Sequence, residues 1–187
     1  MPSGAGELAG KFARGASRFA RTAARQRCYT NDGNMEEAPR FAADRMLGRL
    51  ARWLRLLGAD VAWNPTLGGS EFLRHARAEA RVALTRDKRL RTAPDVGFLS
   101  SDGFRDQLRE VLARFPFDPH GRAFSRCSRC NTVLHPIERE AVRCLVPPFV
   151  YDNHQRFARC EQCGRIYWQA THPERILSEL RRLGLSW

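Results

Sequence analysis

Cys127 and Cys130 are separated by two residues, as are Cys160 and Cys163, and 29 residues lie between the two pairs. A C-x-x-C turn aims two sulfurs at one point, and two such turns supply the four thiolates of a tetrahedral zinc site. The intervening chain is long enough to return as strands, so the spacing predicts a zinc ribbon. Two disulfides are the competing reading, but no secretory pattern precedes the cysteines. Cys28 and Cys144 have no comparable spacing and read as inert thiols.

Asp44, Glu71, Asp87 and Asp102 form a second candidate set. Carboxylates that converge without cations between them repel one another, so such a group makes sense as a site for Mg²⁺ or Mn²⁺, which take oxygen ligands. Beside a phosphodiester, such ions acidify a bound water, orient it for in-line attack and neutralise the leaving oxygen. Taken singly, Asp44, Glu71 and Asp102 also fall where helix-capping carboxylates are favoured. For Glu71 and Asp102 the two readings weigh equally, whereas for Asp44 and Asp87 function is favoured.

The elements needed to bring these acids together are written in the hydrophobic pattern. Phe41–Ala43 reads as a short strand, followed by a helix with the apolar stripe Met46, Leu47, Leu50, Ala51, Trp53, Leu54 and Leu57, stopped by Gly58. Val61–Trp63 is a second strand, Glu71–Ala80 a helix, Val82–Thr85 a third strand and Val96–Ser100 a fourth. A last amphipathic helix carries Phe104, Leu108, Val111, Leu112 and Phe115 and closes at Pro116. Strands alternating with helices predict an α/β fold, a parallel sheet covered on both faces. All strand carboxyl ends then share one edge, the edge where open α/β sheets bind ligands. The four acids fall there, while Asp60 falls on the opposite edge and reads as a solvated turn residue. Trp53 and Trp63 read as core.

The chain has 32 Lys and Arg against 20 Asp and Glu, a net charge of +12, and only Lys11 and Lys88 are lysines. So large an excess of planar guanidinium groups favours phosphates and bases, making nucleic acid the expected partner. Arg45, Arg49, Arg86, Lys88 and Arg89 lie at the acidic rim, where they would hold a nucleic-acid backbone. Arg159, Arg165, Tyr167 and Trp168 surround the second cysteine pair, where stacking on bases and packing onto the α/β domain are equal readings. His135 and His154 read as surface or packing residues, because four cysteines complete a zinc site. No apolar run is long enough to span a bilayer, and a cytoplasmic location is expected.

Three regions follow: a basic, flexible extension over 1–39, an α/β domain over 40–120 and a cysteine module with a C-terminal helix over 121–187. The extension lacks a strand pattern; Lys11, Arg14, Arg18, Arg21 and Arg25 share one helical face, as an RNA-binding arm or an organelle transit peptide would. A functionless tail is equally consistent. Thr171 and Glu174 make a capping box ahead of Ile176, Leu177, Leu180 and Leu183, which predicts a closing helix, with His172 in its cap.

The run Asp44-Arg45-Met46-Leu47-Gly48-Arg49-Leu50-Ala51-Arg52-Trp53-Leu54-Arg55-Leu56-Leu57-Gly58, followed by Leu84-Thr85-Arg86-Asp87, resembles the Mut-seven carboxy-terminal RNase domain. Val146-Pro147-Pro148-Phe149-Val150-Tyr151 and Cys160-x-x-Cys163-Gly164-Arg165-Ile166-Tyr167-Trp168 resemble its zinc-ribbon half, and the likeness covers about residues 40 to 178. The resemblance implies a PIN-like nuclease core that binds divalent metal through Asp44 and Asp87, joined to a zinc ribbon and acting on RNA. Between those two acids the family usually carries an acidic stretch. This chain has Gly68-Gly69-Ser70-Glu71, with Gly69 where an aspartate is expected; either Glu71 reaches in to compensate or the site is weakened. Asp102 resembles a later acidic position. The expectation is a metal-dependent ribonuclease. The alternative is a non-catalytic RNA-binding factor associated with the ribosome or another ribonucleoprotein.

Overall fold

The computed structural model describes residues 26–29, 35–115 and 122–168, with 117, 119, 178, 181 and 182 besides. The basic helical face of 11–25, the capping box at Thr171 and Glu174, and His172 lie outside the described residues. At the start is a hairpin that the sequence pattern did not predict, β1 (Gln26–Tyr29) paired antiparallel with β2 (Met35–Ala38). Four-residue strands without alternation leave no periodic signal; the register pairs Gln26 with Ala38 and Tyr29 with Met35.

The central sheet has β3 (Phe41–Ala43), β4 (Val61–Trp63), β5 (Val82–Thr85) and β6 (Val96–Phe98), all parallel in the order β4-β3-β5-β6. Three helices connect or follow them: α1 (Gly48–Leu56), α2 (Gly69–Ala78) and α3 (Phe104–Arg114). The two-residue period of each strand sorts the faces. Phe41, Ala43, Val61, Val82 and Leu84 meet the leucines of α1 and α3, while Ala42, Ala62 and Ala83 present small side chains to Phe72, Leu73 and Ala76 of α2. Leu50, Leu54 and Leu57 are fully buried, each worth about 1.5–3 kcal/mol of burial. The helix boundaries sit within two residues of the expected ones.

Two glycines are required where they stand. Gly58 ends α1 with φ +88°, and a Cβ there would lie 2.2 Å from the carbonyl oxygen of Arg122. Gly48 lies under the indole of Trp63, where a Cβ would meet the ring at 2.7 Å.

Both free edges of the sheet are covered by side chains. On β6, Arg114 donates to the Phe98 carbonyl at 2.6 Å and the Ser100 amide donates to Glu110 at 3.3 Å. On β4, the Val61 amide donates to Asn131 Oδ1 at 3.0 Å and its carbonyl accepts from Arg55 Nε at 2.9 Å. Asn131 follows Cys130 directly, so the first cysteine turn is itself the cover of the β4 edge. A second, antiparallel sheet belongs to the cysteine region: β7 (His135–Ile137), β8 (Phe157–Arg159) and β9 (Ile166–Trp168), with the short helix α4 (Pro148–Asn153) before β8. Val142, Val146 and Phe157 form its core, against which Trp168 packs.

Asp60 lies on the edge expected for it but is not a solvated turn residue. Its side chain is only 14% exposed and meets Arg81 at 2.5 Å, Arg40 at 3.5 Å and Arg126 at 3.7 Å, and it accepts from Asn131 Nδ2 at 2.8 Å. Burial opposes its ionisation, but the bonds from Arg81 and Asn131 outweigh that and hold its carboxyl below the ordinary range. A depressed folded-state pKa stabilises above the unfolded value near 4 and stops doing so as the pH falls through the folded one. Asp60→Ala should therefore cost roughly 1–3 kcal/mol at neutral pH, because three guanidinium groups and Asn131 lose a shared carboxylate, although Arg81 keeps Glu79 and the Phe41 carbonyl. Denaturant titrations should show the gap to the parent protein narrowing below about pH 4; a gap independent of pH would count against this role.

Candidate functional site

The chain leaves β3 for β4 on one side and returns through α2 to β5 on the other, so the sheet's switch point lies between the carboxyl ends of β3 and β5. The register Ala43↔Leu84 continues to Asp44 and Thr85, which share a face with Ala42 and Ala83. Asp44 is 1% exposed. Its amide donates to the Leu84 carbonyl at 3.0 Å, and its Oδ2 accepts from the Thr85 hydroxyl at 2.6 Å. Its Oδ1 is buried and finds no hydrogen-bond partner among the described residues. Although Asp44 precedes the 3₁₀ turn Arg45–Leu47, its side chain makes no capping hydrogen bond.

Asp87 is tied to the same hydroxyl, its amide donating to Thr85 Oγ1 at 3.0 Å. Thr85 thus fastens the Asp44 carboxylate and the Asp87 backbone to one atom. The side chain of Asp87 accepts from the Arg89 amide at 3.0 Å and from the Arg89 guanidinium at 2.7 Å. Those bonds hold its carboxyl below the ordinary carboxylate range, so it is charged at neutral pH. Arg89 itself is 83% exposed.

The other two acids face outward. Glu71 lies in the first turn of α2, exposed and 3.9 Å from Arg74. Asp102 is 90% exposed and accepts from Arg86 Nη2 through Oδ1. Between the helix start and Asp44, Gly69 has φ +60° and open space around its would-be Cβ. Of the rim cations, Arg45, Arg49 and Lys88 are exposed and Arg86 is partly buried. Thr85 escaped sequence reasoning; its signal is the position opposite Asp44 in the neighbouring strand.

Asp44 Oδ1 is the observation against which a divalent ion can be tested. A buried carboxylate oxygen with no donor nearby is costly unless a cation completes it, and a hard oxygen donor of this kind suits Mg²⁺ or Mn²⁺.

The cysteine turns repeat one geometry. Asn131 N donates to Cys127 O at 2.9 Å and Cys127 N to Thr132 O at 2.8 Å; Gly164 N donates to Cys160 O at 2.8 Å and Cys160 N to Arg165 O at 2.9 Å. The residue after each second cysteine is left-handed, Asn131 and Gly164 both at φ +70°, the residue types that tolerate it. The four sulfurs lie within 4.8 Å of one another. Cys127 and Cys163 are 3.8 Å apart, the edge of a tetrahedron with zinc–sulfur bonds of about 2.3 Å. The set fits zinc.

Its electrostatics point the same way. Burial opposes ionisation of Cys127, but the Tyr167 hydroxyl at 3.0 Å and the amides of Cys130 and Arg129 bring that thiol down to about 6. Burial and the neighbouring sulfurs push Cys130 up to about 12, and burial also raises Cys160. Four such sulfurs lose their protons together only around a cation. Tyr167 is therefore occupied by Cys127, and Trp168 by the small core. Arg165 and His135 are exposed, and His154 is partly so.

The two centres occupy opposite ends of the parallel sheet. Asn131 touches the amino end of β4, and Asp44 lies past the carboxyl end of β3, about 10 Å of strand away. Neither a curated protein nor a solved structure matches the chain. The family described as the Mut7-C RNAse domain matches residues 39–180, both centres included. The chain belongs to the Mut7-C RNAse domain family.

Proposed function

We propose that this protein is a metal-dependent ribonuclease that hydrolyses RNA phosphodiester bonds at the β3–β5 switch point. Membership of an RNase domain family suggests nuclease-like activity, and the observation that carries the finer reading is the buried, unpartnered Oδ1 of Asp44, whose other oxygen shares the Thr85 hydroxyl with the Asp87 amide. Asp44 and Asp87 would hold Mg²⁺ or Mn²⁺, which when bound supplies an acidified water and charge neutralisation at the phosphate. Thr85 keeps the two acids in register. Arg89 leaves Asp87 at small cost, because exposed ion pairs contribute little, and then faces the phosphate backbone with Arg45 and Lys88, while Arg49 and Arg86 meet the RNA from the cleft alongside. Glu71 and Asp102 assist from the rim, Asp102 by holding Arg86.

The cysteine region is read as a zinc ribbon whose ion is structural: it lies at the other end of the sheet, and four thiolates leave no open position for a substrate. Arg165 extends the RNA-binding surface there. Residues 40–120 and 121–187 would be the nuclease and ribbon domains. No helix among the described residues is long and apolar enough to cross a membrane, and a cytoplasmic site of action is proposed.

One observation favours a second reading, an RNA-binding or ribosome-associated protein with a degenerate site. Among the described residues only the cysteines bring three or more metal-ligating side chains together, and Glu71 and Asp102 both face arginines.

Cleavage of labelled RNA should require Mn²⁺ or Mg²⁺ and disappear in the Asp44→Asn, Asp87→Asn double variant, with RNA affinity nearly unchanged. Affinity that falls steeply with salt and no cleavage in any lane would instead support the binder. In the absence of added metal, Asp44→Asn alone should melt higher than the parent, by about 1 kcal/mol or more in stability, because a charged oxygen without a donor is removed. A lower melting temperature would speak against an acid reserved for a cation. Freshly isolated protein should contain about one zinc per chain, and Cys127→Ser should lose it; metal-free protein with intact secondary structure would remove the ribbon.

A further inference from the structure

Next to the acid pair an open cleft of about 460 Å³ is lined by Met46, Arg49, Arg86, Asp102, Gly103 and Phe104, among others. That volume is within the roughly 300–1,000 Å³ of small-ligand clefts. One wall is a stack of flat groups. The ring of Trp53 lies 5.6 Å from that of Phe104, tilted by 32°, and the Arg49 guanidinium lies 3.8 Å from the Phe104 centroid. Arg49 is exposed and lines the cleft, with its guanidinium carbon over the Phe104 ring. The rim is a paired donor and acceptor: Arg86 Nη2 on Asp102 Oδ1, with Asp102 90% exposed. Arg86 Nε–H is buried and finds no partner among the described residues, which leaves the terminal N–H groups of Arg86 as its donors to a ligand. Met46, 52% exposed, adds an adaptable apolar surface.

A phosphate would meet the Asp102 carboxylate, which repels it. A flat heterocycle fits better, because it stacks on the Arg49 guanidinium and presents hydrogen-bonding edges to the rim. We propose that this cleft is a nucleobase subsite that selects guanine, an inference resting on the reading of RNA as the substrate. Guanine alone sets two donors, N1–H and the 2-amino group, beside an acceptor, O6. Asp102 accepts the donors through the oxygen that Arg86 leaves open, and Arg86 donates to O6. Adenine offers Asp102 a lone pair at N1, and the pyrimidines place O2 against it.

Binding of GMP, IMP, AMP, CMP and UMP to the full chain, followed by NMR or calorimetry without added Mg²⁺ or Mn²⁺, tests the subsite without reading hydrolysis. GMP should bind tightest, and IMP, which lacks the 2-amino group, roughly tenfold more weakly. Asp102→Ala should erase the difference between GMP and IMP. Arg49→Ala should weaken all five nucleotides by similar factors, since stacking tolerates any base, and Arg49→Lys should do the same although it keeps the charge. Melting curves identify a variant that does not fold, and Arg49→Lys then stands in for Arg49→Ala. Equal affinity for all five nucleotides, competition by inorganic phosphate alone, or affinities that ignore both cleft residues and follow Asp87→Asn would each overturn the subsite. Loss of cleavage in the hydrolysis assay leaves this result standing, and failure here leaves the hydrolysis result standing.

Discussion

Two short strands, β3 and β5, exchange backbone hydrogen bonds at the centre of the parallel sheet, and the rest of the α/β unit is laid against that pair. The chain departs from β3 in one direction and returns to β5 from the other, so no connection crosses the gap at their carboxyl ends. The residue after β3 and the last residue of β5 therefore meet side by side at that gap, both buried. Because the side-chain period is two, a slip of one residue in this register would turn Asp44 and Thr85 to opposite faces. The alanines at 42 and 83 hold the register from below, since larger side chains would lift α2 off the sheet, and Phe41 and Leu84 hold it from above.

What could be read from the sequence was whatever depends on neighbours. The α/β alternation, the helix stop at Gly58, the placement of Asp44 and Asp87 on one edge and the pairing of the cysteine turns all follow from local pattern and short spacing. The hairpin of Gln26–Tyr29 with Met35–Ala38 was missed because it lacks a period. The roles of Asp60, Arg55 and Asn131 were missed because Asn131 and Asp60 meet 71 residues apart and Arg55 and Arg129 meet 74 apart, distances at which composition and periodicity carry no information. Glu71 and Asp102 show a third limit. Position along a strand or helix says which edge an acid occupies, but whether it faces a site or a nearby arginine is decided by side-chain competition. In a chain this rich in arginine, competition for exposed acids is strong.

Charge is distributed with a consistent logic. Acids within the fold are committed: Asp60 to three arginines and an asparagine, Asp44 to a threonine hydroxyl with one oxygen left over. Cations at the carboxyl edge are mostly exposed, with Arg89 resting on an acid that it can leave. Such an edge attracts polyanions before any specific contact forms, while Asp44 keeps one buried oxygen without a donor among the described residues. The cysteine centre lies at the far end, and its soft thiolates favour different ions from hard carboxylates.

The cover over β4 has a consequence for how the molecule fails. Asn131 supplies the acceptor for the outermost amide of that strand only while the turn Cys127–Cys130 is held in shape, and Arg55 reaches from the Val61 carbonyl to the carbonyls of Ser128 and Arg129 in the same turn. If the four sulfurs part, the strand's outer backbone groups are bared together. A bared strand is a template for another chain's backbone, so parting the sulfurs would turn this flank into a surface for intermolecular sheet growth.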